Sequence, residues 1–213
     1  MRYLALDFET GNASPLSACA LGASIFEDGA LVYERVSLIR PPESARKFHW
    51  GNVRVNHITE QMVVDAPPFD AVWRMLAAEA EGSVLVCHNA MFDIGVLNAC
   101  LAHYHLRIPA CRYVCTVKVA QRVWPDLPNH KLDTVADALG IALDHHEAGS
   151  DAHAAGMILQ AALRTTCSAD ADALAEKIGM RLGRISSMGT VPCSIAKQVK
   201  GAKAFVHPRK EPK

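Results

Sequence analysis

The chain has 213 residues, half of them hydrophobic and 21% charged, which is enough for one large soluble domain with a short appendage. Lys+Arg and Asp+Glu balance at 22 each, but unevenly: residues 1–168 carry 13 basic against 18 acidic side chains, and residues 169–213 carry 9 against 4. No apolar run is long enough to cross a bilayer as a helix, which excludes a helical membrane protein.

Tyr3–Phe8 reads as a buried strand near the N-terminus, and residues 18–27 as a second. Asp28-Gly29 signals a hairpin, so residues 30–39 return as a third strand. Pro41-Pro42 ends that unit, and residues 43–58 read as irregular. Pro67-Pro68 opens a helix expected to run to about Ala80. Ser83–Cys87 is a short central strand, followed by a helix to about Tyr104. A strand is expected over 112–115 and helices over about 117–124, 132–139 and 151–165, with one more over 169–178. Beyond that, Gly183, Gly189, Pro192, Gly201 and Pro208 interrupt scattered lysines, and the segment reads as a loosely ordered tail. An antiparallel start followed by alternating helices and strands predicts an α/β fold, a ribonuclease-H-like mixed sheet of five strands flanked by helices. The expected organisation is a domain over 1–168 and a basic helix and tail over 169–213.

Seven cysteines are scattered through the chain, several in apolar runs. The odd count, with no signal peptide ahead of YLALDFET, predicts a reducing cytoplasm and no disulfide framework. Cys111 and Cys115 lack the second pair that a structural zinc site needs.

Acidic residues occupy several positions where apolar ones are expected. Asp7 and Glu9 share one face of the first strand, because the side-chain period is two. Asp93 stands on the stripe Asp93, Val96, Leu97, Cys100, Leu101, Tyr104, the pattern of a buried helix face. Asp151 repeats it with Ala155, Ile158 and Ala162, and Ser150 is a candidate N-cap for that helix. Burying one unpartnered carboxylate is costly, and burying four requires neutralising cations. A divalent-metal site for assisted hydrolysis follows, with carboxylates from separated elements holding the cations. His146, five residues before Asp151, cannot share its helical face and is placed in the loop leading in, beside the metals, as a candidate base. His145 and His57 read as solvated.

In order, D-x-E-T, HNAMFD and H-x-A-x-x-D resemble the DEDDh 3′–5′ exonuclease family, which includes DNA polymerase III epsilon subunits, ribonuclease T and oligoribonuclease. The resemblance covers about residues 1–165. It implies Asp7, Glu9, Asp93 and Asp151 as ligands of two divalent ions, Mg²⁺ or Mn²⁺, with His146 as the general base. It implies that Thr10 contacts the terminal nucleotide and that Asn89, also a substrate-binding candidate, helps shape the site before Asp93. Phe92, with Phe8 and Met91, is a candidate apolar wall on which unpaired bases stack. The product would be nucleoside 5′-monophosphates from a 3′ end. One segment departs from the family's V-H-G-I-T pattern: Val55-Asn56-His57-Ile58-Thr59 puts His57 in place of the small residue.

Single-stranded DNA is the leading substrate and RNA the runner-up, since the motifs suit either sugar. A non-catalytic nucleic-acid-binding or polymerase-binding subunit is the alternative from another class. A DNA polymerase subunit is an expected partner through the basic tail, which could equally be a solvated extension, and a homodimer is an expected assembly of the family.

Overall fold

The computed structural model describes residues 1–196. The lysine-rich end of the expected basic tail, from Lys197 to Lys213, lies outside the described residues. In chain order, β1 (Arg2–Thr10), β2 (Ala18–Glu27) and β3 (Ala30–Leu38) precede four short helices: α1 (Trp50–Asn56), α2 (Glu60–Val63), α3 (Phe69–Trp73) and α4 (Ala77–Ala80). Then come β4 (Val84–Cys87), α5 (Met91–His103), β5 (Cys111–Cys115), α6 (Thr116–Val123), α7 (Leu132–Leu139), α8 (Ala148–Thr166) and α9 (Ala171–Lys177). Four short strands follow: β6 (Met180–Arg181), β7 (Gly183–Ser186), β8 (Gly189–Val191) and β9 (Ser194–Ile195).

β1 is the central strand, antiparallel to β2 on one side and parallel to β4 on the other. Its alternating side chains feed two cores, because helices cover both faces of the sheet. Leu4, Leu6 and Phe8 pack with Ile94, Leu97 and Leu101 of α5. Tyr3 and Ala5 pack with Val119 and Val123 of α6 and with Ile158 and Leu159 of α8. The hairpin between β2 and β3 turns on Asp28 and Gly29, both at positive φ (49° and 88°), as a two-residue loop between twisted strands requires.

The five expected strands are present in the order β3-β2-β1-β4-β5, and the sheet continues with β7 and β8 to seven strands. Residues 180–196 are therefore not the loose segment that their glycines and proline suggest. Gly183 is there because a Cβ would stand 2.1 Å from the Tyr113 ring. Its amide donates to Cys193 Sγ (3.0 Å), and that thiol donates to the Tyr113 carbonyl (3.1 Å). α9 joins the α8 core through Ala171, Leu174 and Ala175.

Three other expectations are corrected. Residues 43–58 contain α1, opened by His49, whose ring accepts from the Gly51 amide, and closed by His57 in the left-handed conformation. The helix after Pro68 breaks into α3 and α4, yet Phe69, Val72, Trp73, Leu76 and Ala80 keep the helical burial pattern across the break. α8 starts at Ala148, not 151, because Glu147 caps it by accepting from the Ser150 amide (2.7 Å). Ser150 instead accepts from the Asp144 amide (2.8 Å). No helix among the described residues is long and apolar enough to cross a membrane.

Candidate active site

Asp7 and Glu9 project from the C-terminal half of β1 on the face that α8 covers. α8 approaches closely there because residue 22, opposite Asp7 on β2, is glycine. A Cβ at Gly22 would lie 1.9 Å from the Ala148 carbonyl oxygen. That contact sets the first turn of α8 against the sheet and delivers Asp151 to the two β1 acids. Asp7, Glu9 and Asp151 can each place a carboxylate oxygen within 4.8 Å of the others. Asp93, in the first turn of α5, accepts from the Phe8 amide through Oδ1 (3.0 Å). It is thereby held between Asp7 and Glu9 along the chain.

The electrostatics are those of crowded acids. Burial, and then Asp93, Asp151 and Glu9, hold the Asp7 carboxyl well above the usual carboxylate range. Burial also raises Asp93, against the pull of the Phe8 amide. Glu9 is pushed up to about 7 by burial, partly offset by the Asn56 amide. Asp151 is raised by burial, opposed by His145. Each shift records a site that disfavours its own negative charge unless a cation is supplied.

The fit to a cation is tested by the donor set. Asp93 Oδ2 is buried and has no hydrogen-bond partner among the described residues. Asp93 lies outside the set of Asp7, Glu9 and Asp151 whose ligand oxygens come within 4.8 Å of one another, but its charge raises Asp7, and the donor set of these acids suits a hard divalent ion with all-oxygen ligands.

His146 lies in the loop before α8 at φ +72°, an uncommon conformation for a non-glycine residue. Its amide donates to Asp151 Oδ2 (3.1 Å). Burial and the neighbouring His145 lower its pKa, favouring the neutral ring that can accept a proton. His145 is not merely solvated, as the sequence suggests. Its Nδ1 lies 3.0 Å from Asp151 Oδ2, and its ring stacks on His146 at 3.8 Å between centroids.

Two further residues escape sequence reasoning. Asn56, 7% exposed, donates to Glu9 Oε2 and to the Thr10 carbonyl, both at 3.1 Å. It fixes the Glu9 carboxylate from a segment expected to be irregular, and its place inside the departing V-H-G-I-T segment is the one sequence signal for it. His88, in HNAMFD, bonds Thr116 Oγ1 (2.9 Å) and the His130 carbonyl (3.1 Å). Because a carbonyl only accepts, Nε2 carries the proton and Nδ1 accepts from Thr116. Burial lowers the His88 pKa to about 4, in keeping with that neutral form. His88 so ties the end of β4 to the entries of α6 and α7.

A cavity of about 870 Å³ opens over this cluster, its walls including Asn89, Phe92 and Lys131. Phe92 is 45% exposed and Asn89 adopts φ +60°. Thr10 is placed differently: it is 6% exposed, its Oγ1 accepts from Asn52 Nδ2 (3.4 Å), and it is not part of the cavity wall. His57 is exposed, as expected, and takes φ +60° where the family pattern has its small residue.

Acids gathered at the end of the central strand of a ribonuclease-H-like sheet, with a histidine on the loop beside them, define a hydrolase of the nuclease class. A family model described as Exonuclease (RNase_T) matches residues 4–159, and the chain belongs to that exonuclease family. Among curated proteins, it is 29% identical over 160 residues to the PolC-type DNA polymerase III of Streptococcus suis (strain 98HAH33), covering 74% of this chain and 11% of that protein. It is likewise 29% identical over 161 residues to the 3′-5′ exonuclease DinG of Bacillus subtilis (strain 168), covering 74% of this chain and 17% of that one. The chain thus spans under a fifth of the length of these two relatives. Among solved structures, exonuclease X in complex with 5′ overhanging duplex DNA superposes with a TM-score of 0.65 at 22% identity, covering 83% of this chain and 99% of that one.

Proposed function

We propose that the protein removes nucleotides one at a time from the 3′ end of single-stranded DNA, in a metal-dependent hydrolysis that releases nucleoside 5′-monophosphates. The observation that carries this reading is the convergence of Asp7, Glu9 and Asp151 within 4.8 Å of one another, with Asp93 near enough that its charge raises Asp7. Asp7, Glu9, Asp93 and Asp151 would hold two Mg²⁺ or Mn²⁺ ions, which when bound supply Lewis acidity at the scissile phosphate and its leaving oxygen. His146, neutral near pH 7, takes the proton of the attacking water at a ring nitrogen. Its backbone amide and His145 hold Asp151 in place, and Asn56 does the same for Glu9. Phe92 offers an apolar wall to the terminal base and Asn89 a polar one. Thr10 would act through its backbone, since its side chain is turned away from the cavity.

DNA is preferred because one of the curated relatives named above is a DNA polymerase. The test is digestion of 5′-labelled single-stranded DNA and matched RNA with Mg²⁺, with Mn²⁺ and with EDTA. A ladder shortening from the 3′ end of DNA, abolished by EDTA, is expected. Faster loss of the RNA would reassign the substrate, and intact strands in every metal would leave the binding-subunit reading in its place.

A further inference from the structure

Trp50 is 70% exposed, whereas the other two tryptophans, Trp73 and Trp124, are 2% and 3% exposed. It opens α1 within the segment Arg46–Arg54, whose sequence RKFHWGNVR holds three cations and no acid in a body of net charge −5 over residues 1–168. Arg46 is paired with Glu43 (2.7 Å), while Lys47 and Arg54 are exposed and form no ion pair among the described residues. Trp50 and Arg54 are four residues apart on one helix and share a face.

This segment is clamped to the end of the strand that carries Asp7 and Glu9. The His49 amide donates to the Gly11 carbonyl (2.7 Å), and Asn12 Nδ2 donates to the Lys47 carbonyl (2.7 Å). Phe48 lies so close over Gly11 that a Cβ there would be 2.2 Å from its ring. Asn52 Nδ2 donates to the Thr10 carbonyl (3.0 Å), and Asn56 reaches Glu9 itself. Asn52 and Asn56 therefore turn one face of α1 toward the end of β1 that carries Glu9, and the helical repeat puts Trp50 and Arg54 on the opposite face.

We infer that Arg46–Arg54 is a platform for the unpaired strand upstream of the scissile bond, with Trp50 stacking on a base and Lys47 and Arg54 on the phosphates. Four carboxylates repel a polyanion, so a strand held in register needs cations and an aromatic face outside the cluster. An exposed indole flanked by unpaired cations is what sequence-tolerant binding of single strands uses. The inference rests on the exonuclease reading for what the bound strand is used for, but its test does not require turnover.

The experiment is a fluorescence titration of the full chain carrying Asp7→Asn, in EDTA, with a twelve-residue oligothymidylate. Trp50 is the exposed indole of the three, so stacking is expected to quench a saturable part of the emission. Trp50→Ala in the same background is expected to lose that quench and to weaken binding roughly tenfold, with Trp50→Phe restoring most of the affinity. Lys47→Gln and Arg54→Gln are each expected to reduce the slope of log K against log salt by about 0.7. Unchanged emission, or equal affinity in Trp50→Ala, overturns the platform, as does binding that only a protein partner competes for. If the labelled-strand ladder still forms, only the platform falls; if neither ladder nor binding is seen, both readings fall.

Discussion

Asn56 holds Glu9 with a single amide hydrogen-bond donor, and the balance at Glu9 turns on it. Without that donor, burial acts on the carboxylate unopposed. Asn56→Ala is expected to weaken Mn²⁺ binding by roughly tenfold, the usual cost of losing a residue that orients a ligand. Calorimetric titration of Mn²⁺ into the two proteins checks this, and equal affinities would deny Asn56 its positioning role. His146 yields a pH prediction. Its pKa is lowered from 6.5, so the neutral, proton-accepting ring persists to more acidic pH. The acid limb of kcat/KM should therefore have its midpoint below pH 6.5 and vanish in His146→Ala, in which turnover should fall by 10²-fold or more. At this scale, the sequence reveals what periodicity encodes. Asp7 and Glu9 are readable by the period of two, and Asp93 and Asp151 by their places on apolar stripes. Asn56 and His145 are not readable by periodicity, because an amide at the end of a short helix and a loop imidazole find their carboxylates only through tertiary placement.

Elements position the acids through close contact. α8 reaches the sheet over Gly22, and the same contact places Asp151 beside Asp7. Gly22→Val would force the Ala148 carbonyl away and carry Asp151 with it. An error of about 1 Å at a reacting centre costs on the order of 10²-fold in rate. Gly22→Val is therefore expected to reduce kcat about that much, with a drop in melting temperature. A variant with normal kcat would show that α8 can relax without moving Asp151. The long elements are legible because apolar repeats mark them. The short helices α1 to α4 are not, because each has seven residues or fewer and draws its stability from packing rather than from its own pattern. β7 was hidden for another reason: Gly183 reads as a breaker in sequence but serves as a socket for the Tyr113 ring.

Over the whole molecule, the cluster makes stability depend on pH in a direction opposite to that of salt-bridged acids. Carboxyls whose folded pKa is raised stabilise fully below their unfolded pKa, and that contribution is lost as pH rises through the folded pKa. For Glu9 the window runs from 4.5 to about 7, and Asp7, Asp93 and Asp151 move in the same sense. In EDTA, the melting temperature should thus fall between pH 5 and pH 8, by roughly 2–4 °C for each kcal/mol lost. Asp7→Asn should flatten that slope and melt higher than the parent at pH 8, and Mg²⁺ should restore the parent. A parent whose stability rises over that range would contradict the burial and mutual repulsion of the acids.

The central position of β1 also has a consequence in time. Its hairpin partner β2 follows at once, but its other neighbour, β4, begins at residue 84, and Asp151 comes from α8 later still. Chains are synthesised from the N-terminus at about 5–20 residues per second, and pairings distant in sequence close slowly. A nascent or prematurely terminated chain can display Asp7 and Glu9 on a finished hairpin, yet it has no Asp151 to set beside them. Chemistry that needs Asp7, Glu9 and Asp151 together is therefore expected only once α8 has been made and packed against the sheet.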